Sequence, residues 1–197
     1  MANGGHIENI GRAAANLARQ ACKGRGAASN RAGRYEHFAG EACDDGWGSL
    51  EVPLDKLRTT IQADSSRTII TRNQSPGLGF DRSINAYRGC EHGYAYCYAR
   101  PTHAYLGLSP GQDFETRIFA KYNAPELLRN ELSKPGYRAR MMALGTNTDS
   151  YQPAERQLEI TRGILTVLSE FNHSVGIVTK SALITRDLDI LSDMAER

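Results

Sequence analysis

A chain of 197 residues, 40% hydrophobic and 23% charged, is long enough to bury the core of one domain and has the charge content of an ordinary soluble protein. No apolar run approaches the roughly 18–20 residues that a membrane span needs, and no apolar signal region opens the chain. A cytoplasmic protein without a membrane partner is therefore expected. The net charge of +2 is unevenly placed: residues 1–40 carry Arg12, Arg19, Lys23, Arg25, Arg31 and Arg34 against Glu8 and Glu36, six minus two, or +4, which leaves −2 for the remainder.

Residues 1–50 are rich in alanine and glycine and poor in large apolar side chains, which predicts a basic, poorly ordered leader with weak helical character around Ala13 to Arg19. Such an arm could also touch nucleic acid phosphates. Residues 51–82 read as an irregular lead-in, with one β-branched run, Thr68-Ile69-Ile70-Thr71, before the turn-rich Ser75-Pro76-Gly77. Ser83-Ile84-Asn85-Ala86-Tyr87 then looks like a short strand. Residues 124–132 form a helix candidate with Leu127, Leu128 and Leu132 at helical spacing. Met141-Met142-Ala143-Leu144, ending at Gly145, has the continuous apolar character of a buried parallel strand.

Pro153 suits the first turn of a helix, and Ile160, Ile164, Val167, Leu168 and Phe171 follow as one apolar stripe. Val175-Gly176-Ile177-Val178-Thr179 is a third strand candidate, and a last helix is expected from about Asp187 with Leu188, Leu191 and Met194 in register. Strands alternating with helices predict an α/β fold with a parallel sheet. Residues 83–197 hold about three βα units. With nothing after Arg197 to cover the third strand, they read as the first half of a larger, truncated barrel.

The chain has four cysteines, Cys22, Cys43, Cys90 and Cys97, and in a cytosolic protein these are not expected to form disulfides. Cys22 and Cys43 sit alone in loop-like surroundings. Cys90 and Cys97 share a Gly- and Tyr-rich segment, and their separation of six residues is wider than zinc pairs normally use. The segment Tyr87-Arg88-Gly89-Cys90-Glu91-His92-Gly93-Tyr94-Ala95-Tyr96-Cys97-Tyr98-Ala99-Arg100 resembles the radical S-adenosylmethionine signature, C-x3-C-x2-C with an aromatic residue before the last cysteine. Arg88–Gly93, Tyr96–Pro101, Ala104-Tyr105-Leu106-Gly107, Asp113-Phe114-Glu115-Thr116, Gly145-Thr146-Asn147-Thr148-Asp149 and Val178-Thr179-Lys180-Ser181 are similar to the spore photoproduct lyase-like group, the DNA repair photolyase type, and the resemblance runs from about Lys23 to Arg197.

That resemblance implies a partial (β/α) barrel with the cysteine loop after its first strand. It implies a [4Fe–4S] cluster held by three cysteines, with one iron open to S-adenosylmethionine, whose reductive cleavage gives a 5′-deoxyadenosyl radical. Of the ligands, Cys90 and Cys97 match; the middle position is Tyr94, a hard phenol in place of a soft thiolate. Two readings follow: a radical enzyme impaired in this copy, acting with an electron donor on a nucleic acid lesion or another substrate, or a truncated, degenerate relative that binds no cluster.

The resemblance also implies that Gly145, Thr146, Asn147 and Asp149 face S-adenosylmethionine; they follow a predicted parallel strand, and such folds bind ligands at the carboxyl ends of these strands. The same segment could instead be a polar turn that caps the next helix through Asp149 or Gln152. Lys180 and Ser181 are placed similarly, with a solvated strand end as their simpler reading. Arg88 and Arg100 could bind phosphate or form salt bridges. His92 is expected to pack the loop. Tyr87, Tyr94, Tyr96 and Tyr98 could stack on bases, although loop packing explains them more simply.

Overall fold

The computed structural model describes residues 26–27, 29–31, 33–35 and 58–197. The helical reading at Ala13 to Arg19, Cys22, Cys43 and most of the leader lie outside the described residues. The chain divides into two compact units, one made of residues 1–59 and 93–116, the other of residues 60–92 and 117–197. In chain order the elements begin with β1 (Thr60–Ala63), β2 (Ile70–Arg72), β3 (Arg82–Ile84) and β4 (Tyr87–Arg88), then a 3-10 helix (Arg100–Leu106), α1 (Asp113–Thr116) and β5 (Arg117–Ala120). They continue with α2 (Ala124–Leu132), β6 (Met142–Leu144), α3 (Glu155–Leu158), α4 (Ile160–Glu170), β7 (Val175–Ile177), a second 3-10 helix (Ala182–Asp187) and α5 (Leu188–Glu196). Among the described residues no helix is long and apolar enough to cross a membrane.

The unit formed by residues 60–92 and 117–197 contains two sheets, neither of which closes into a barrel. In the four-stranded sheet, ordered β2-β3-β6-β7, the strands β3, β6 and β7 are parallel and aligned at Ser83, Ala143 and Gly176, while β2 pairs antiparallel to β3. In the three-stranded sheet, ordered β1-β5-β4, β1 is parallel and β4 antiparallel to β5. All three residues of β6 are buried, as a central parallel strand requires. Ile84, Ile118, Leu128, Leu144, Ile164, Leu165 and Leu168 meet in one core. Each such side chain contributes about 1.5–3 kcal/mol when fully withdrawn from water.

The helices follow the apolar stripes. Leu128 and Leu132 are the buried face of α2, and Ile160, Ile164, Leu165, Val167 and Leu168 that of α4. These two helices pack on each other, and α5 packs on α4. A Cβ on Gly163 of α4 would lie 2.7 Å from Cγ of Pro125 in α2, so the helices approach closely only because that residue is glycine.

Three expectations need correction. Residues 60–63 and 117–120 are strands, although the sequence reads as irregular over the first and predicts no element over the second. The run from Ser83 to Tyr87 is two strands in different sheets, separated by Asn85 and Ala86. The chain is held in that bend by Nζ of Lys121 donating to the Asn85 carbonyl at 2.9 Å and by the Lys121 N–H donating to the Ala86 carbonyl at 3.0 Å. The helical stripe after Pro153 also breaks, at Glu159, whose φ is +50°. There the buried Glu155 carboxylate accepts from the Thr161 N–H at 3.0 Å and caps the start of α4.

In the other unit, Arg100 and Glu115 are the buried polar centre. The guanidinium of Arg100 donates to the carbonyls of Gly93, Tyr94 and Gly111 at 3.0 Å and of Pro110 at 3.2 Å, and pairs with the Glu115 carboxylate. That carboxylate also accepts from the N–H groups of Gly26 at 2.9 Å and Ala27 at 2.8 Å.

Candidate functional site

The carboxyl ends of β4 and β6 carry the first half of the cysteine loop and the 145–152 segment, and side-chain hydrogen bonds join them. Gln152 is fully buried; its Oε1 accepts from the Glu91 N–H at 3.0 Å and its Nε2 donates to the Gly89 carbonyl at 3.4 Å. Gln152 therefore grips the backbone on both sides of Cys90, which is 7% exposed. It does not cap α3, whose N-cap residue is Ala154 and has no side-chain cap bond.

Asn85 shapes the 145–149 segment itself. Its Oδ1 accepts from the Asn147 N–H at 2.9 Å and the Thr148 N–H at 3.4 Å, and its Nδ2 donates to Oγ1 of Thr146 at 3.3 Å. The hydroxyl of Thr148 donates to the Tyr87 carbonyl at 3.1 Å. Gly145 adopts φ +81°, and a Cβ there would lie 2.1 Å from the Val178 carbonyl oxygen. The glycine is thus needed both for its conformation and for the close approach of the chain leaving β7.

Of the residues expected to bind a cofactor, Gly145, Thr146, Asn147 and Asp149 all lie in this one turn after β6. The Asp149 carboxylate is engaged within the protein. Its Oδ1 accepts from the Tyr151 N–H at 2.8 Å and the Thr179 hydroxyl at 2.7 Å, and its Oδ2 from the Lys180 N–H at 3.1 Å. Nε2 of His92 stands 3.6 Å from the same Oδ2. Asp149 thereby ties the loop after β6 to the loop after β7, and its turn role is local to Tyr151. The Asn147 carboxamide, half-buried, has no side-chain hydrogen bond among the described residues. Ser181 caps the second 3-10 helix by accepting from the Leu183 N–H.

Next to this turn lies a charged group that sequence reasoning missed. Lys121 follows β5, is 8% exposed and has its pKa lowered, chiefly by burial and against the pull of Asp64. Asp64 follows β1 and pairs with Arg88 at 2.6 Å. Burial works against its charge, but the Ser66 hydroxyl, Arg88 and Lys121 prevail and hold its carboxyl below the usual range. Arg88 is thus a salt-bridge partner. Arg100 is likewise committed, to four carbonyls and Glu115. Nothing in the local sequence around Lys121 signals this cluster, because its partners are assembled from three separate strands.

The second half of the cysteine loop belongs to the unit that contains residues 93–116. There Cys97 is half-buried and its N–H donates to the Tyr94 carbonyl at 3.1 Å. The Tyr94 ring stacks on Tyr96 with centroids 5.5 Å apart. Tyr96 and Tyr98 are exposed, whereas Tyr87 is buried in the other unit and donates its hydroxyl to Glu155, so Tyr87 offers no face to a base. Among the described residues no group of three or more His, Cys, Asp or Glu side chains is arranged to hold a metal ion.

No family model matches this chain, and no solved structure matches it. It is similar to an uncharacterized protein of Mycobacterium tuberculosis, 43% identical over 120 residues, which is 61% of this chain and 35% of the relative. An uncharacterized protein of Mycobacterium bovis matches at the same identity and shares of length. An uncharacterized protein of Methanocaldococcus jannaschii is 30% identical over 107 residues, 54% of this chain and 38% of the relative. The matched stretch spans little more than a third of these relatives.

Proposed function

We propose that this chain carries the partial barrel and the S-adenosylmethionine loop of a radical S-adenosylmethionine protein of the spore photoproduct lyase-like group, with a cysteine loop that cannot complete its [4Fe–4S] cluster. The cysteine-loop motif supports the family reading. The observation that carries the site is Gln152, which fastens the backbone around Cys90 to the turn holding Gly145, Thr146, Asn147 and Asp149. Parallel α/β sheets bind ligands at carboxyl strand ends such as that of β6.

The donor set does not fit the cluster. Cys90 and Cys97 are two thiolates where the chemistry uses three, and Tyr94 at the middle position offers a phenol whose ring lies against Tyr96. No radical step is therefore assigned to this chain as it stands. The degenerate, non-catalytic reading is favoured for the cluster by this same observation. In a form with the third thiolate, the activity would be reductive cleavage of S-adenosylmethionine with an external electron donor, and a nucleic acid lesion is the proposed substrate. The setting is a soluble, cytoplasmic one.

Anaerobic reconstitution with iron and sulfide tests both parts, using the chain and its Tyr94→Cys variant. The parent is expected to stay colourless, while the variant gains broad visible absorption and a reduced-state EPR signal. A brown parent would overturn the misfit. A folded Tyr94→Cys protein that binds no iron would overturn the cluster-loop assignment.

A further inference from the structure

We propose that Asn85 is the positioning residue of the nucleoside ligand site: it fixes the backbone of Thr146–Thr148 so that the Asn147 carboxamide and the Gly145 backbone are presented to S-adenosylmethionine or its demethylated analogue. The inference rests on the assignment of that turn as the S-adenosylmethionine loop. Asn85 stands at the exit of β3, 62 residues before the Asn147 N–H that it accepts from. One oxygen collects two successive N–H groups, and the amide nitrogen holds the Thr146 hydroxyl. All three contacts go to one turn, and none of them goes to the strand that carries Asn85.

Asn85 is held in its turn from β5. The ammonium of Lys121 donates to the Asn85 carbonyl, and Lys121 is itself balanced by Asp64 at the end of β1 and faces Arg88. Asp64, Lys121, Asn85 and the 146–148 turn thus form one polar chain along strand ends drawn from both sheets. Burying a lysine is costly, and core packing of this region would be served equally by an apolar side chain. A buried ammonium that spends itself on a backbone carbonyl, which in turn carries a side chain clasping a loop, is explained by a requirement on loop geometry. Within the turn the Asn147 carboxamide has no hydrogen bond among the described residues and is half-exposed, so a donor and an acceptor remain available to a ligand on a pre-shaped backbone.

The test is calorimetric titration of the full chain with S-adenosylhomocysteine, compared across Asn85→Leu, Asn85→Asp and Lys121→Met. Asn85→Leu keeps the volume and removes the acceptor, so affinity should fall roughly tenfold or more, the worth of one to two hydrogen bonds. Asn85→Asp keeps an acceptor for both N–H groups and should bind within about threefold of the parent. Lys121→Met should fall between them. Should Asn85→Leu melt below the assay temperature, hydrogen exchange on the parent replaces it: the Asn147 and Thr148 amides are expected to be protected before ligand is added. Unchanged affinity in a folded Asn85→Leu protein, or unprotected amides in the parent, would overturn the role of Asn85 alone. A parent that binds no analogue at all would overturn the loop assignment and this inference with it.

Discussion

Glu155 concentrates more interactions than any sequence pattern around it suggests. Its carboxylate is fully buried and accepts from the Tyr87 hydroxyl, from Arg186 at 3.0 Å and from the first N–H groups of α4. Burial, together with the Glu155 charge, raises the Tyr87 phenol far above its ordinary range, which keeps it protonated and donating. Glu155→Leu leaves Arg186 and the phenol buried without that acceptor. Breaking a buried, hydrogen-bonded ion pair typically costs about 3–5 kcal/mol. Part of that should be retained here, because Arg186 also pairs with Asp187 at 2.8 Å. The expected outcome is a fall of about 3 kcal/mol in urea-measured stability, with Glu155→Gln losing less because it can still accept from the Thr161 N–H. Equal stability of Glu155→Leu and parent would show that the network contributes nothing to folding.

Among the elements, those set by local pattern were legible and those set by distant partners were not. The buried faces of α2 and α4 fall on the leucine and isoleucine spacing of the chain, and β6 on an unbroken apolar run. By contrast, β1 is exposed at all four residues and shows no alternation to read; pairing with β5 makes it a strand. The bend at Asn85 and the break at Glu159 likewise depend on Lys121 and Glu155, whose contacts no window of sequence reveals. The candidate site divides in the same way: the 145–149 segment was legible as a polar turn, but the clasp of Asn85 on it, the hold of Lys121 on Asn85 and the grip of Gln152 on the cysteine loop were not. The glycine ending β6 gives this turn a sharp test. Gly145→Ala forces a left-handed φ on an L-residue and drives its Cβ to 2.1 Å from a carbonyl oxygen. A left-handed conformation alone costs roughly 1–2 kcal/mol, and the clash with backbone adds to it. A loss of more than about 2 kcal/mol is expected, measured by chemical denaturation; on the proposed S-adenosylmethionine assignment, S-adenosylhomocysteine binding is lost with it.

At the scale of the whole folded molecule, pH response follows from where its buried charges lie. At the amino ends of β6 and β7, His173 is buried, 3% exposed. Its Nδ1 sits 3.0 Å from the Ser174 carbonyl and its Nε2 2.7 Å from the Tyr137 hydroxyl. Since a carbonyl can only accept, Nδ1 carries the proton, and in the neutral ring Nε2 accepts from Tyr137. Burial, with Arg82 nearby, lowers its pKa despite the favourable Ser174 carbonyl. Arg82 stacks on Tyr137 at 5.5 Å, so protonation would place a second cation beside a buried arginine and remove the acceptor of Tyr137. A histidine whose pKa is depressed on folding contributes stability above its unfolded value of about 6.5, and that contribution is lost as pH falls below it. The lowered carboxyls of Asp64 and Asp187 act with the same sign but only below their unfolded values near 4. The interval between about pH 6.5 and 4.5 therefore isolates the histidines, and the other four cancel when the parent is compared with His173→Gln, which can accept from Tyr137 and does not titrate. The parent should lose urea-midpoint stability across that interval more steeply than His173→Gln, with the two curves parallel above pH 7. Parallel curves through the whole interval would mean that the ring takes up its proton in place, with Arg82 and Tyr137 yielding to it.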